Sequence, residues 1–193
     1  MNNSTKLMTL GICLGLSNPS YTKEEICSIE KGMKYDYNQD IYAPEQNRKM
    51  LEEIEEDLCP LGCGKVLLFE NSTATIAFAS YSGLGYTKII YNPESIECIT
   101  SNFGEDAMYG ILAHEFGHQI NLNLSNYIWA GSNWMEELDA DWTAGCALAI
   151  AHKDPVALEN TIESLLSKSS PTHPSSDLRL PKIHEGFLDC SQE

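Results

Sequence analysis

Positive charge is scarce in this chain: 12 Lys plus Arg stand against 28 Asp plus Glu, for a formal net charge of −16 over 193 residues. A surface of that sign repels phosphate backbones and anionic bilayers, which excludes nucleic acid as a partner. No run of about 20 apolar residues, the length that spans a bilayer, is present, so no integral membrane segment is expected. Internal repeats and low-complexity linkers are also absent. What is present is 42% hydrophobic and 9% aromatic, a composition that folds, at a length that one hydrophobic core commonly serves.

The stretch "MNNSTKLMTLGICLGLSNPSYTKEE" opens with one positive charge at Lys6. Mostly apolar residues follow from Leu7 to Leu16, with small residues at Gly15 and Ser17. That order is the pattern of a secretory leader, so residues 1–17 are read as a signal peptide and the protein as exported, periplasmic or secreted. Bulky Ile12 ahead of Cys13 makes "LGIC" a poor lipoprotein acceptor. Removing the leader takes Cys13 with it and leaves Cys27, Cys59, Cys63, Cys98, Cys146 and Cys190, an even set that suits disulfides in an oxidising compartment. Cys146 sits in apolar "TAGCALAIA", where a buried thiol and a bridge are equal alternatives. "CPLGC" lacks the second cysteine pair that a four-ligand metal knuckle requires.

Along the chain, "YAPEQNRKMLEEIEEDL" (42–58) places Met50, Leu51, Ile54 and Leu58 at helical spacing behind a proline, and reads as an amphipathic helix. "KVLLFE" (65–70), "ATIAFASY" (74–81) and "TKIIYN" (87–92) are short and rich in β-branched or aromatic residues, with "SGLG" between the last two. They predict a small sheet containing a hairpin. From residue 105 the pattern turns helical: a nearly all-apolar helix over 105–122, a second over 133–153, an amphipathic one over 154–168, then a loop and a short final helix. Strands first and helices afterwards define an α+β domain.

The chemistry lies in "ILAHEFGHQI" (111–120). His114 and His118, four apart on a helix, direct both imidazoles to one point, as a zinc ion needs, while Glu115 lies about 100° around the helix and reaches a metal-activated water without binding the metal. A third protein ligand is still required. Glu137, 19 residues after His118 in "NWMEELDADWTAG", fits as a carboxylate on a second packed helix, with Asp141 one turn further on the same face to accept the free N–H of a ligand histidine. Glu136 is the weaker candidate, because Ala140 rather than an acid stands four residues beyond it.

"GILAHEFGH", then "ELDADWTAG", then "THPSSDLRLPKIHEGF" together resemble the gluzincin metallopeptidases of the HtpX and CAAX-prenyl-protease type, in particular small exported bacterial members. The likeness extends from residue 74 to 187 and takes in "KIIYNPES" as the strand and turn before the active-site helix. The resemblance implies a single zincin-like metallopeptidase domain over 18–193, with an edge strand packed on the active-site helix and a mostly helical C-terminal half. It implies one Zn(2+) per chain held by His114, His118 and Glu137, with Glu115 as general base and Asp141 behind the ligands. The strand "ATIAFASY", through Ala77, Phe78 and Ala79, would pair with an extended polypeptide substrate. His173, between two prolines, would stabilise the oxyanion, cap the open metal position, or simply be a rigid loop residue, and Arg179 would pair with an acid beneath the site. The chain departs from many relatives in having no transmembrane helix, and from several small ones in reading "QINLN" where they carry a further histidine.

The expected activity is therefore zinc-dependent endopeptidase action on unfolded or misassembled proteins. The alternative is a non-catalytic or latent metal-containing module that recruits protein partners through the exposed strand or the aromatics Tyr127, Trp129 and Trp134. Glu115 discriminates, since a purely structural metal site has no need of a base.

Overall fold

The computed structural model describes Cys27 and residues 34–81, 87–124 and 133–191. The leader expected over 1–17, and Tyr127 and Trp129, lie outside the described residues. The chain is α+β: among the described residues a mixed four-stranded sheet carries six helices. After a 3-10 turn at Tyr37–Gln39 come β1 (Ile41–Tyr42), α1 (Glu45–Leu58), β2 (Val66–Glu70), β3 (Ala77–Tyr81) and β4 (Thr87–Tyr91). These are followed by α2 (Pro93–Phe103), α3 (Glu105–Leu124), α4 (Asn133–Ile150), α5 (Pro155–Leu165) and α6 (Ser176–Cys190).

The strand order is β1-β2-β4-β3, with β2 parallel to β4 and β3 antiparallel to it. β3 is thus an edge, and its register with β4 fixes what that edge offers. The Asn92 N–H donates to Ile76 O, so alternate pairs inward from there, Phe78 with Ile90 and Ser80 with Lys88, direct their backbone groups at β4, while those of Ala77, Ala79 and Tyr81 point outward. One face of the sheet, through Val66, Leu68 and Ile89, joins Leu51 and Ile54 of α1 and Leu112, Ala113 and Phe116 of α3 in the core. The other face holds Phe78 edge-on to Tyr35, and Lys88 bonded to Asp40 and Tyr35.

Two elements depart from the sequence reading. α2 begins at "NPES", where the resemblance implies a turn: the Asn92 side chain accepts from the N–H groups of Glu94 and Ser95, and Pro93 occupies the first helical position. α6 is longer than a short final helix and continues through Pro181, because Ile183 and Gly186 bury against α4.

Close backbone approach sets the helix spacing. A Cβ on Gly117 of α3 would lie 3.0 Å from Ala140 Cα and 3.0 Å from Thr143 Cβ of α4. A Cβ on Gly145 of α4 would overlap the Ile183 carbonyl of α6, and one on Gly186 the Trp142 carbonyl. Gly145→Ala ordinarily adds helix propensity, worth at most about 1 kcal/mol. Here the overlap with backbone dominates, and the substitution is expected to cost about 1–3 kcal/mol net, read as a lowered denaturant midpoint.

Three cysteine pairs stand at disulfide distance. Cys27–Cys98, Cys59–Cys63 and Cys146–Cys190 have Cα separations of 5.9, 5.7 and 5.1 Å. The alternatives at Cys146 resolve as a pairing that ties α4 to α6. Among the described residues no helix is long and apolar enough to cross a membrane. Both observations are compatible with an extracellular protein.

Candidate metal centre

α3 and α4 each supply an i,i+4 pair, and Gly117 lets the two helices come close enough for the pairs to meet. On α3 the His114 and His118 rings lie edge to face, centroids 4.8 Å apart. On α4 stand Glu137 and Asp141. His114 Nε2 is 3.3 Å from Glu137 Oε2, and His118 Nε2 is 3.6 Å from Glu137 Oε1. The ligand atoms of His114, His118 and Glu137 all lie within 4.8 Å of one another, and this group could hold a metal ion.

The polar atoms themselves support that fit. Glu137 Oε2 is buried and has no aligned hydrogen bond, a costly state for a carboxylate oxygen unless a cation faces it. Behind the group, His114 Nδ1 is 2.9 Å from Asp141 Oδ1, and Arg179 of α6 grips Asp141 with a two-pronged fork, Nε to Oδ2 and Nη2 to Oδ1, both 2.8 Å. Asp141 is wholly buried. The Asp141 carboxylate beside Nδ1 favours the ring proton there and leaves Nε2 to face the group.

Burial opposes charge on His114, but the Asp141 and Glu137 carboxylates outweigh it and raise the imidazole to about 9. Burial pushes His118 down to about 4, helped by the charge on His114. Glu137 and Asp141 stay below the usual carboxylate range despite burial, Glu137 through the histidines and Asp141 through Arg179 and His114. Stripped of metal, the site therefore holds a proton on His114 where a cation would bind. Metal binding is expected to release about one proton near pH 7.5, and apparent affinity to rise about tenfold per pH unit until pH nears 9. Calorimetry in buffers of different ionisation enthalpy reads both. The same raised value means that His114 stabilises the stripped protein below its ordinary 6.5, and that this stability is lost as pH rises through about 9.

Glu115 lies beside this group and outside it. It is buried, which raises its carboxyl to about 7 against the pull of the His114 charge and of a hydrogen bond from the Ala79 N–H. That amide is one of the three outward positions on β3, so Glu115 is in direct contact with the sheet edge that has no further strand partner among the described residues. Ala77 and Ala79 are thus placed at the edge with outward backbone groups. Phe78 instead turns its ring to Tyr35 and its backbone to β4.

His173 comes to the group from the loop before α6, its Nε2 3.4 Å from Glu137 Oε2 and its side chain 47% exposed. The loop also holds Ser170 and Thr172, which the sequence reading did not single out. The indole of Trp134, read from the sequence as part of an aromatic cluster, donates from α4 to Ser170 O at 3.1 Å, and Thr172 Oγ1 lies 2.8 Å from His173 Nδ1. Only the hydroxyl-rich stretch "SSPTHPSS" hinted at them. No family model, curated protein or solved structure matches the chain.

Proposed function

We propose that the protein is an exported zinc-dependent endopeptidase that cleaves unfolded or misassembled proteins, a zincin-like enzyme in keeping with its resemblance to the HtpX and CAAX-prenyl-protease type. One observation carries the reading: a buried carboxylate, Glu115, stands next to a three-donor metal group without belonging to it, and touches an open strand edge. Three protein donors leave a coordination position for chemistry, whereas a structural zinc site is closed by four.

When bound, zinc would act as a Lewis acid on the scissile carbonyl and lower the pKa of a water to about 7. His114, His118 and Glu137 would hold it, and Asp141 with Arg179 keeps His114 in the tautomer that can ligate. Glu115, with a carboxyl near 7, takes the proton of the attacking water and returns it to the leaving amine. The outward backbone groups of Ala77 and Tyr81 and the Ala79 carbonyl receive the substrate as an added strand, which gives main-chain affinity with little sequence choice, as suits an enzyme for unfolded chains. His173 borders the same space.

The test is direct. The purified protein is analysed for metal content and incubated with a reduced, unfolded polypeptide before chelation, after chelation, and after zinc is restored. One zinc per chain, with cleavage lost and regained, is expected. One zinc per chain and an intact polypeptide throughout would instead mean a module that binds partners without cutting them.

A further inference from the structure

Three helices end at one groove. Leu58, Ile150 and Cys190 are the last residues of α1, α4 and α6, and all three line a recess of about 450 Å³. It lies across α4 from the metal group: Cys146, which also lines it, is about two and a half helical turns from Glu137, so the two side chains leave α4 in opposite directions. Its volume falls in the range of about 300–1,000 Å³ common to ligand sites. Leu58, Ile120, Trp142 and Ile150 give it apolar walls, and Asp57 and Asp139 give it charge. Asp189 adds a carboxylate beside it by accepting from the Trp142 indole at 3.1 Å.

The sign of that charge goes unanswered. A helix C-terminus carries roughly half a negative elementary charge, which a basic residue in the last turn ordinarily meets. None of α1, α4 and α6 has one. Among the described residues no basic side chain lines the groove. His152 and Lys153 follow α4 without lining it, and Lys153 is bonded to Asp106 at 3.4 Å and lies over the Tyr109 ring. Lys182 of α6, which feels Asp139 and Asp189, is bonded to Glu185 at 2.6 Å.

A bare metal ion does not suit this place. Such an ion needs several donors converging on one point, and among the described residues only His114, His118 and Glu137 form a group of that kind. The complement of acidic charge over apolar walls is a cation on an apolar stem, the form of a lysine or arginine side chain. We infer that the groove is a docking site for a basic, apolar segment of a polypeptide, with a lysine or arginine next to aliphatic residues. Its capacity to bind such a segment is independent of the peptidase reading, while a part in choosing substrates rests on that reading. In that part the groove retains unfolded chains that carry a basic segment while another stretch of the same chain lies at β3.

The experiment uses the zinc-loaded full chain with Glu115→Gln, so that the probe is held and not cut. The probe is a short fluorescein-labelled peptide of alternating leucine and lysine, followed by anisotropy at physiological salt. Saturable binding is expected, weaker by about tenfold or more when glutamate replaces the lysines or serine the leucines. Asp139→Lys, at an exposed position, should weaken it about tenfold. Glu97→Lys, exposed on α2 and outside the groove, makes the same change in net charge and should alter it less than about twofold. Equal weakening by the two variants would mean attraction to the acidic surface at large and overturns the inference, as does equal binding of the glutamate peptide. With the wild-type protein, a leucine–lysine tail on the unfolded polypeptide of the cleavage assay should lower KM about tenfold at unchanged kcat, and Asp139→Lys should erase that gain. A tail without effect on KM overturns the part in choosing substrates. Peptide binding without cleavage would sink the peptidase reading and leave the docking site standing, whereas cleavage without peptide binding would do the reverse.

Discussion

Glu115→Gln is expected to lower cleavage of an unfolded polypeptide by about 10²- to 10⁴-fold while zinc stays bound, the range over which a positioned proton acceptor contributes to rate. Glutamine keeps the shape of the side chain and can still accept the Ala79 N–H, so the contact with β3 survives. It cannot take a proton. Burial raises the Glu115 carboxyl and a bound dication opposes that rise, so the acidic limb of the wild-type profile should report Glu115, activity rising as pH rises and it ionises. The variant's residual activity should lack that limb. Stability supplies a second reading. A carboxyl whose folded value is raised stabilises the protein below its ordinary 4.5, and that contribution is lost as pH rises through about 7. Glu115→Gln has no such loss and should be at least as stable as the wild type at pH 8. Cleavage by the variant at the wild-type rate, with zinc confirmed, would remove Glu115 from the chemistry.

Asp141→Ala is expected to have the largest effect on stability. Arg179 is buried and directs two hydrogen bonds at Asp141. Removing the carboxylate strands the guanidinium without a partner, a change that costs about 3–5 kcal/mol in buried pairs. Against a total of about 5–15 kcal/mol for a domain, that loss is severe. His114 loses its orienting acceptor in the same stroke, so zinc affinity in whatever fraction still folds should fall about 10- to 100-fold. Replacing both partners, as Asp141→Leu with Arg179→Met, should recover much of the stability, because no charge is left stranded, and none of the zinc affinity. Urea unfolding and competition with a chromophoric chelator separate the two quantities. A double variant that regains zinc affinity would show that Asp141 does not orient His114.

The helices that carry the metal group could be read in the sequence because their signals are local. Two histidines and two acids at i,i+4 spacing define faces whatever the fold, and 105–122 and 133–153 are apolar enough to be buried in any arrangement. α2 was legible in principle: Asn92, Pro93 and Glu94 form a helix start, but the β-branched run before them favoured a strand and turn. The parallel pairing of β2 with β4 has no local signature, since it is fixed by which residues meet across the core. α6 outruns its sequence signal because Pro181 argues for a stop, whereas backbone contact at Gly186 and the Cys146–Cys190 pair favour continuation. The Ser170, Thr172 and Trp134 contacts were invisible for a simpler reason. Trp134 is 36 residues from Ser170, and no spacing rule connects an indole to a distant carbonyl.

The unequal margins of the sheet have a consequence for how the protein behaves in concentrated solution. β1 is only two residues long, too short to template a neighbour, while the five-residue β3 turns the backbone of Ala77, Ala79 and Tyr81 outward, with only the Ala79 amide taken up by Glu115. A margin of that kind welcomes any extended chain, another copy included. The surplus of negative charge, −16 per molecule, opposes that self-association, since mutual repulsion keeps identical molecules from zipping together along the β3 margin.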